Sequence, residues 1–321
     1  MHLSQLKGGG VICRQGESAR LVKDANSTYG LAMEAIAATC SLADIIERHG
    51  LGESVELLAL AEQGLLDCPV RHPDSAHMFL TGTGLTHLGS ASTRDAMHAS
   101  GEGMSDSMKM FRAGVEGGKP APGETGVQPE WFYKGTGAVA VAPGEALISP
   151  SFALDGGEEP EIAGAYVIGP DGTPHRIGFT LANEFSDHLT ERLNYLFLAH
   201  SKLRPASFGP ELWVGELPRD IRGTSRIVRD GAVLWEKPFL SGEDNMSHSI
   251  ANLEYHHFKY GLFRAPGDLH LHMFGTATLS VADGIVVQEG DRFEIEAPDF
   301  GLTLRNLLKR AAEQTPEVQP L

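Results

Sequence analysis

The sequence predicts an α+β protein, with a smaller α/β N-terminal domain and lid loop over residues 1–115 and a mainly β domain over residues 116–321. Three observations carry this. The stretch 30-GLAMEAIAATCSLADIIERHG-50 is rich in Ala, Leu and Ile, spaces its apolar positions three and four apart, and ends on a glycine suited to a helix stop. From His77 onward the texture changes to short apolar pieces punctuated by glycine and proline. The length, 321 residues, exceeds the usual size of a single domain and allows a large buried core.

Element by element, a second helix is expected in 54-SVELLALAEQGLLD-67. The segment 100–130 is rich in Gly, Ser and Pro, with a single helical turn around Met108 to Phe111, and reads as a long loop or lid. Beyond Trp131 come short strand candidates: AVAVAP, AGAYVIGPDG, RIGFTLANEF, GAVLWEKPF, HLHMFGTATLSV and IVVQEGDRFEIEAP. One helix interrupts them, 247-SHSIANLEYHHFKYG-261, with Ser247 as N-cap and Ile250, Leu253, His257 and Tyr260 along one face.

Twenty-six basic residues against 42 acidic ones give a formal charge of −16, with no basic block, so nucleic acid and anionic membrane are not expected partners. The three cysteines, Cys13, Cys40 and Cys68, are widely spaced and form no C-x-x-C, which fits reduced thiols. No signal-peptide pattern opens the chain, and no apolar run approaches the roughly 18 to 20 residues needed to span a bilayer. A cytoplasmic protein is expected.

The chemistry concentrates in 154-LDGGEEPEIAGAYVIGPDG-172. If Pro160 starts a strand, a period of two places Glu159 and Glu161 on one side. Two close carboxylates share either a proton or a cation. Glu184, at the end of the apolar run 179-FTLANEFSDH-188, joins them if the two strands are neighbours. An oxygen-only ligand set suits magnesium, manganese or calcium. The alternative is a solvated acidic turn. Upstream, 129-PEWFYKG-135 read as a strand puts Glu130, Phe132 and Lys134 on one face and Trp131 and Tyr133 on the other. An acid and a base can then point together at a substrate.

Taken in order, E-P-E then V-I-G, G-F-T-x-x-N-E-x-S, S-K-L, P-G-D before G-T-A-T, and the ending 290-GDRFEIEAPDFGLTLRN-306 resemble the fumarylacetoacetate hydrolase family over roughly residues 129 to 308. The resemblance implies a β-rich catalytic domain, a mixed β-sandwich roll, in a homodimer. It implies Glu159, Glu161 and Glu184 as ligands of a divalent metal, Mg2+ or else Mn2+ or Ca2+. It further implies Lys202, Lys134, Ser186, Thr276 and Thr278 near substrate, the two threonines sharing one face of a strand end. The family's third ligand is normally aspartate in N-D-x-S-x-R, whereas this chain has Glu184 and, in the arginine position, His188.

The P-E-x-F-x-K-G pattern looks like the branch that dehydrates 2-keto-3-deoxy sugar acids. A 2-oxo acid chelating the metal would form a stabilised enolate and lose the C4 hydroxyl, giving a semialdehyde such as 2,5-dioxopentanoate, with Glu130 moving the proton. Hydrolytic members instead resemble G-x-N-Y-x-x-H-x-x-E. Here Ser90 stands three beyond His87 where that histidine would be, and His98 with Glu102 is the remaining candidate for activating water. The alternatives to a dehydratase are a carbon–carbon hydrolase of a 2,4-diketo acid that releases pyruvate, and a sugar-acid binding protein without turnover. The H-x-H of His270 and His272 lacks the following glutamate of a cupin site and reads as strand packing, and 135-GTG-137 and 8-GGG-10 lack phosphate-loop order.

Overall fold

The computed structural model describes residues 1–89 and 105–321. The chain begins with a meander of three short strands, β1 (His2–Gln5), β2 (Val11–Gln15) and β3 (Ser18–Val22), followed by helices α1 (Thr28–Ala38) and α2 (Leu42–His49), strand β4 (Leu51–Ser54) and helix α3 (Leu57–Glu62). Then come β5 (Met78–Gly84), α4 (Asp106–Gly117), β6 (Glu130–Thr136), β7 (Ala140–Val141), β8 (Ala146–Ser149), β9 (Pro160–Ile168) and β10 (Pro174–Asn183). Two short helices, α5 (His188–Leu193) and α6 (Leu198–Lys202), lead to β11 (Ala206–Trp213), β12 (Ile221–Arg229) and β13 (Ala232–Ser241). Helix α7 (Ile250–Phe258), β14 (Leu269–Met273), β15 (Arg292–Glu296) and β16 (Leu304–Arg310) complete the order.

The strands form an 11-stranded sheet in the order β4-β3-β2-β1-β11-β10-β9-β14-β5-β6, with β7 beside β11, and a 5-stranded sheet β13-β12-β15-β16-β8. Ile162, Phe179 and Leu181 of the large sheet pack on Ile221, Phe239, Ile295 and Leu304 of the small one, a sheet-on-sheet core. On the other face Leu80, Ala163 and Leu271 meet Leu31, Ala32, Ile45 and Ile46 of the first two helices. Strand β9 is therefore buried at every position. It reads as a continuous apolar run because both of its faces are covered. Strands from both sides of residue 115 share the large sheet.

The α+β class holds, and several element expectations are corrected. Three strands that no stretch above singled out open the N-terminal region; they are only four or five residues long, too short to show a period. The helix expected over 30–50 is two, because Thr39 adopts a left-handed conformation with φ 50 and Ser41 opens a new helix through a capping box with Asp44. The helix expected over 54–67 shrinks to Leu57–Glu62. Part of the expected loop is the helix α4, opened by the Ser105 side chain accepting from Met108 N. Ser249, not Ser247, caps α7, and Tyr260 lies beyond it. Among the described residues no single helix is long and apolar enough to cross a membrane.

Candidate active site

The site forms where β9 begins and β10 ends. These strands are antiparallel neighbours in a register that sets Glu161 opposite Ala182 and Pro160 opposite Asn183. The pairing continues past the strand ends: Glu184 N donates to Glu159 O at 3.0 Å, and Gly157 and Ser186 exchange backbone bonds at 2.9 and 3.0 Å. Three carboxylates thus converge, and one oxygen from each of Glu159, Glu161 and Glu184 lies within 4.8 Å of the others. The acidic run is not a solvated turn, since Glu158, Glu159, Glu161 and Glu184 are all buried.

Its glycines are required by packing. A Cβ on Gly156 would lie 2.4 Å from the Phe185 ring, and one on Gly157 would lie 2.7 Å from His188 Nδ1. These absences let the histidine reach Glu159 Oε1 at 3.1 Å, with Asp155 Oδ2 at 3.7 Å on its other side.

Two buried lysines enter from elsewhere. Lys202, the last residue of α6, donates to Glu159 Oε1 at 2.5 Å, to Glu184 Oε2 at 2.9 Å and to Ser186 Oγ at 3.3 Å. Lys134, on β6, directs its ammonium at Glu184 Oε1 at 2.9 Å, Phe185 O at 2.5 Å and Lys202 O at 3.1 Å. Phe132 lies between, its ring centroid 4.9 Å from the Lys202 nitrogen. It fits there because Gly82 on β5 has no side chain to oppose it.

The charges are unevenly satisfied. Burial alone would raise the Glu159 carboxyl, yet Lys202 and His188 outweigh it and hold that group well below the usual carboxylate range. Glu161 goes the other way: burial, then Glu184 and Glu159, push it well above that range. It accepts from Gly275 N at 2.6 Å through Oε2, while its buried Oε1 has no hydrogen-bond partner. Burial opposes the charge on Lys202, but Glu159, Glu184 and Glu191 hold its ammonium above its usual value. Burial likewise opposes the His188 imidazolium, and Asp155 and Glu159 hold it up to about 10. The unsatisfied Glu161 oxygen and the all-oxygen donor set fit a hard divalent cation.

The remaining expected residues are placed as follows. Glu130 shares the buried face of β6 with Phe132 and Lys134, as the alternation predicts, and accepts from the Tyr195 hydroxyl at 2.6 Å. Ser186 lies inside the cluster, its hydroxyl 2.8 Å from Glu184 Oε1. The expectation for Thr276 and Thr278 is corrected in part. Strand β14 ends at Met273, so they do not alternate on a strand; Thr276 Oγ1 accepts from Thr278 N at 3.2 Å, and Thr278 Oγ1 donates to Pro238 O at 2.9 Å. In that loop it is the Gly275 amide that touches the site. Ser90, His98 and Glu102 lie outside the described residues.

The sequence reading missed Tyr195 and the orienting role of His188. The first sits in 188-HLTERLNYLFLAHSK-202, whose Asn194 accepts from Leu196 N and sets the turn; that cap was a legible signal. The second had none beyond its place five residues after β10 ends, at the position where the resembled family has arginine.

No family model matches the chain, and no curated protein matches it. Solved structures do. The apo form of a 2-keto-3-deoxy-D-arabinonate dehydratase superposes with a TM-score of 0.71 at 21% identity, covering 98% of this chain and 100% of that one. A 2-keto-3-deoxy-D-arabinonate dehydratase complexed with magnesium and 2,5-dioxopentanoate gives 0.70 at 20% identity with the same coverage. The 5-carboxymethyl-2-hydroxymuconate delta-isomerase from Mycobacterium smegmatis gives 0.56 at 16%, again over 98% and 100%. The chain therefore shares the fold of these structures over nearly its whole length, and it scores higher against the dehydratase than against the isomerase.

Proposed function

We propose that the protein is a hydro-lyase that removes water from a 2-keto-3-deoxy pentonate or a related sugar acid, giving a 2-oxo semialdehyde such as 2,5-dioxopentanoate. The observation that carries this reading is the Glu159, Glu161 and Glu184 triad, with its one unsatisfied oxygen, closed by Lys202. These three carboxylates would hold the divalent ion, which supplies positive charge beside a keto oxygen and so makes the adjacent C3 proton more acidic.

Each remaining role belongs to this chain's own side chains. Lys202 faces the substrate's negative charge. Lys134 and Ser186 hold Glu184 in place, and His188 holds Glu159. Glu130 carries the proton: it takes one from C3 and returns it to the departing C4 hydroxyl, which leaves as water. Moving hydrogen from C5 toward C3 and C4 then converts the C5 alcohol to the aldehyde, with no net oxidation. Support for a dehydratase also comes from the likeness to an enzyme described with magnesium and 2,5-dioxopentanoate.

The test is incubation of purified protein with magnesium and 2-keto-3-deoxy-arabinonate, following semialdehyde formation. Turnover is expected, with loss in Glu161→Gln. No turnover of sugar acids together with pyruvate release from a 2,4-diketo acid would replace this reading with the hydrolase.

A further inference from the structure

We infer that Tyr195 is the positioning residue for the proton-carrying carboxylate Glu130, an inference that rests on the dehydratase reading above. The segment joining β10 to β11 turns sharply at Asn194, whose side chain accepts from Leu196 N at 3.0 Å. This turn presents the Tyr195 hydroxyl to Glu130 Oε2 at 2.6 Å. The next helix ends at Lys202, which bridges Glu159 and Glu184. One connection thus delivers both the cation that closes the carboxylate triad and the phenol that holds Glu130.

Glu130 is buried whereas Tyr195 is partly exposed, and both line a cavity of about 260 Å3 with Trp131, Leu198 and Tyr260. A carboxylate on a strand can still rotate about its outer torsions. A phenol bonded to one oxygen restrains that rotation. Burial of a tyrosine–glutamate pair inside a core would need no such account, but this pair borders a cavity.

The test compares wild type, Tyr195→Phe and a chain carrying 2,3-difluorotyrosine at 195, a stronger donor. For Tyr195→Phe the expected result is a fall in kcat of roughly 10- to 100-fold with KM changed by less than about twofold. The fluorinated chain, which keeps the bond, should hold kcat within about threefold of wild type. An unchanged kcat in Tyr195→Phe, or a change confined to KM, overturns the inference. If wild type turns over no sugar acid, a crystal structure of Tyr195→Phe still decides. A Glu130 carboxylate turned away from its wild-type rotamer upholds the pairing while the dehydratase reading fails, and an unchanged rotamer overturns the pairing itself.

Discussion

Strands β9 and β14 lie side by side, and each brings an alternating pair of metal-ligating residue types: Glu159 and Glu161 at the start of one, His270 and His272 on the other. The pairs face opposite sides of the sheet, since Met273 sits opposite Ala163 and His272 opposite Gly164. The glutamates meet a third carboxylate, two lysines and an imidazolium. The histidines meet rings: His257 stacks on His272 with centroids 4.4 Å apart, and Phe79 stacks on His270 at 5.0 Å. They also bond among neighbours, His270 to His257 at 3.1 Å and His272 to Thr81 at 2.8 Å. Burial holds both strand histidines at about 3, so they stay neutral. Alternation alone therefore does not assemble a cluster able to hold a metal. What separates the two is convergence of a third carboxylate and of compensating charge from distant segments.

This contrast can be broken or sharpened by substitution. The largest effect is expected from Glu161→Gln, which should lower magnesium-dependent activity by about 10³-fold, whereas His272→Gln should leave the response to metal unchanged. Steady-state rates at varied magnesium check both. Next is Lys202→Met, which leaves Glu159 and Glu184 buried without their shared cation. Breaking a buried pair in this way costs about 3–5 kcal/mol, visible as a lower midpoint in denaturant.

Acid should separate the two regions in another way. An unfolded histidine takes a proton near 6.5, but the folded His270 and His272 do so only near 3. Between those values the unfolded chain binds more protons. Stability is thus fully present above about pH 6.5 and declines as pH falls below it. Thermal unfolding from pH 7 to pH 5 should show that decline, and it should flatten in His272→Gln. The smallest effect is expected for Gly157→Ala, whose new methyl meets His188 and costs about 1–3 kcal/mol by overpacking.

How much of this was legible in the sequence differs from residue to residue. Given a strand starting at Pro160, the shared direction of Glu159 and Glu161 followed from the period of two, as did the buried face of Glu130, Phe132 and Lys134. The neighbouring of β9 and β10 was a condition that the sequence could state but not settle, because register depends on bonds between segments. The N-terminal strands were hidden by their brevity. The break at Thr39 was marked by Ser41 and Asp44 three residues apart, a capping box read past in favour of the longer helical pattern. The placement of Thr276 and Thr278 on one strand face failed because β-propensity does not reveal where a strand stops, and here the left-handed Gly275, with φ 97, bends the chain into the site.

The central claim is that the carboxylates where β9 begins and β10 ends, and not the histidines on β14, hold a divalent ion. Titrating Mn2+ into wild type, Glu161→Gln and His272→Gln, with the free ion counted by electron paramagnetic resonance, tests it most directly. The account predicts one ion bound per chain in wild type and His272→Gln and none retained in Glu161→Gln at the same concentration. Retention in Glu161→Gln, or loss in His272→Gln, would contradict it.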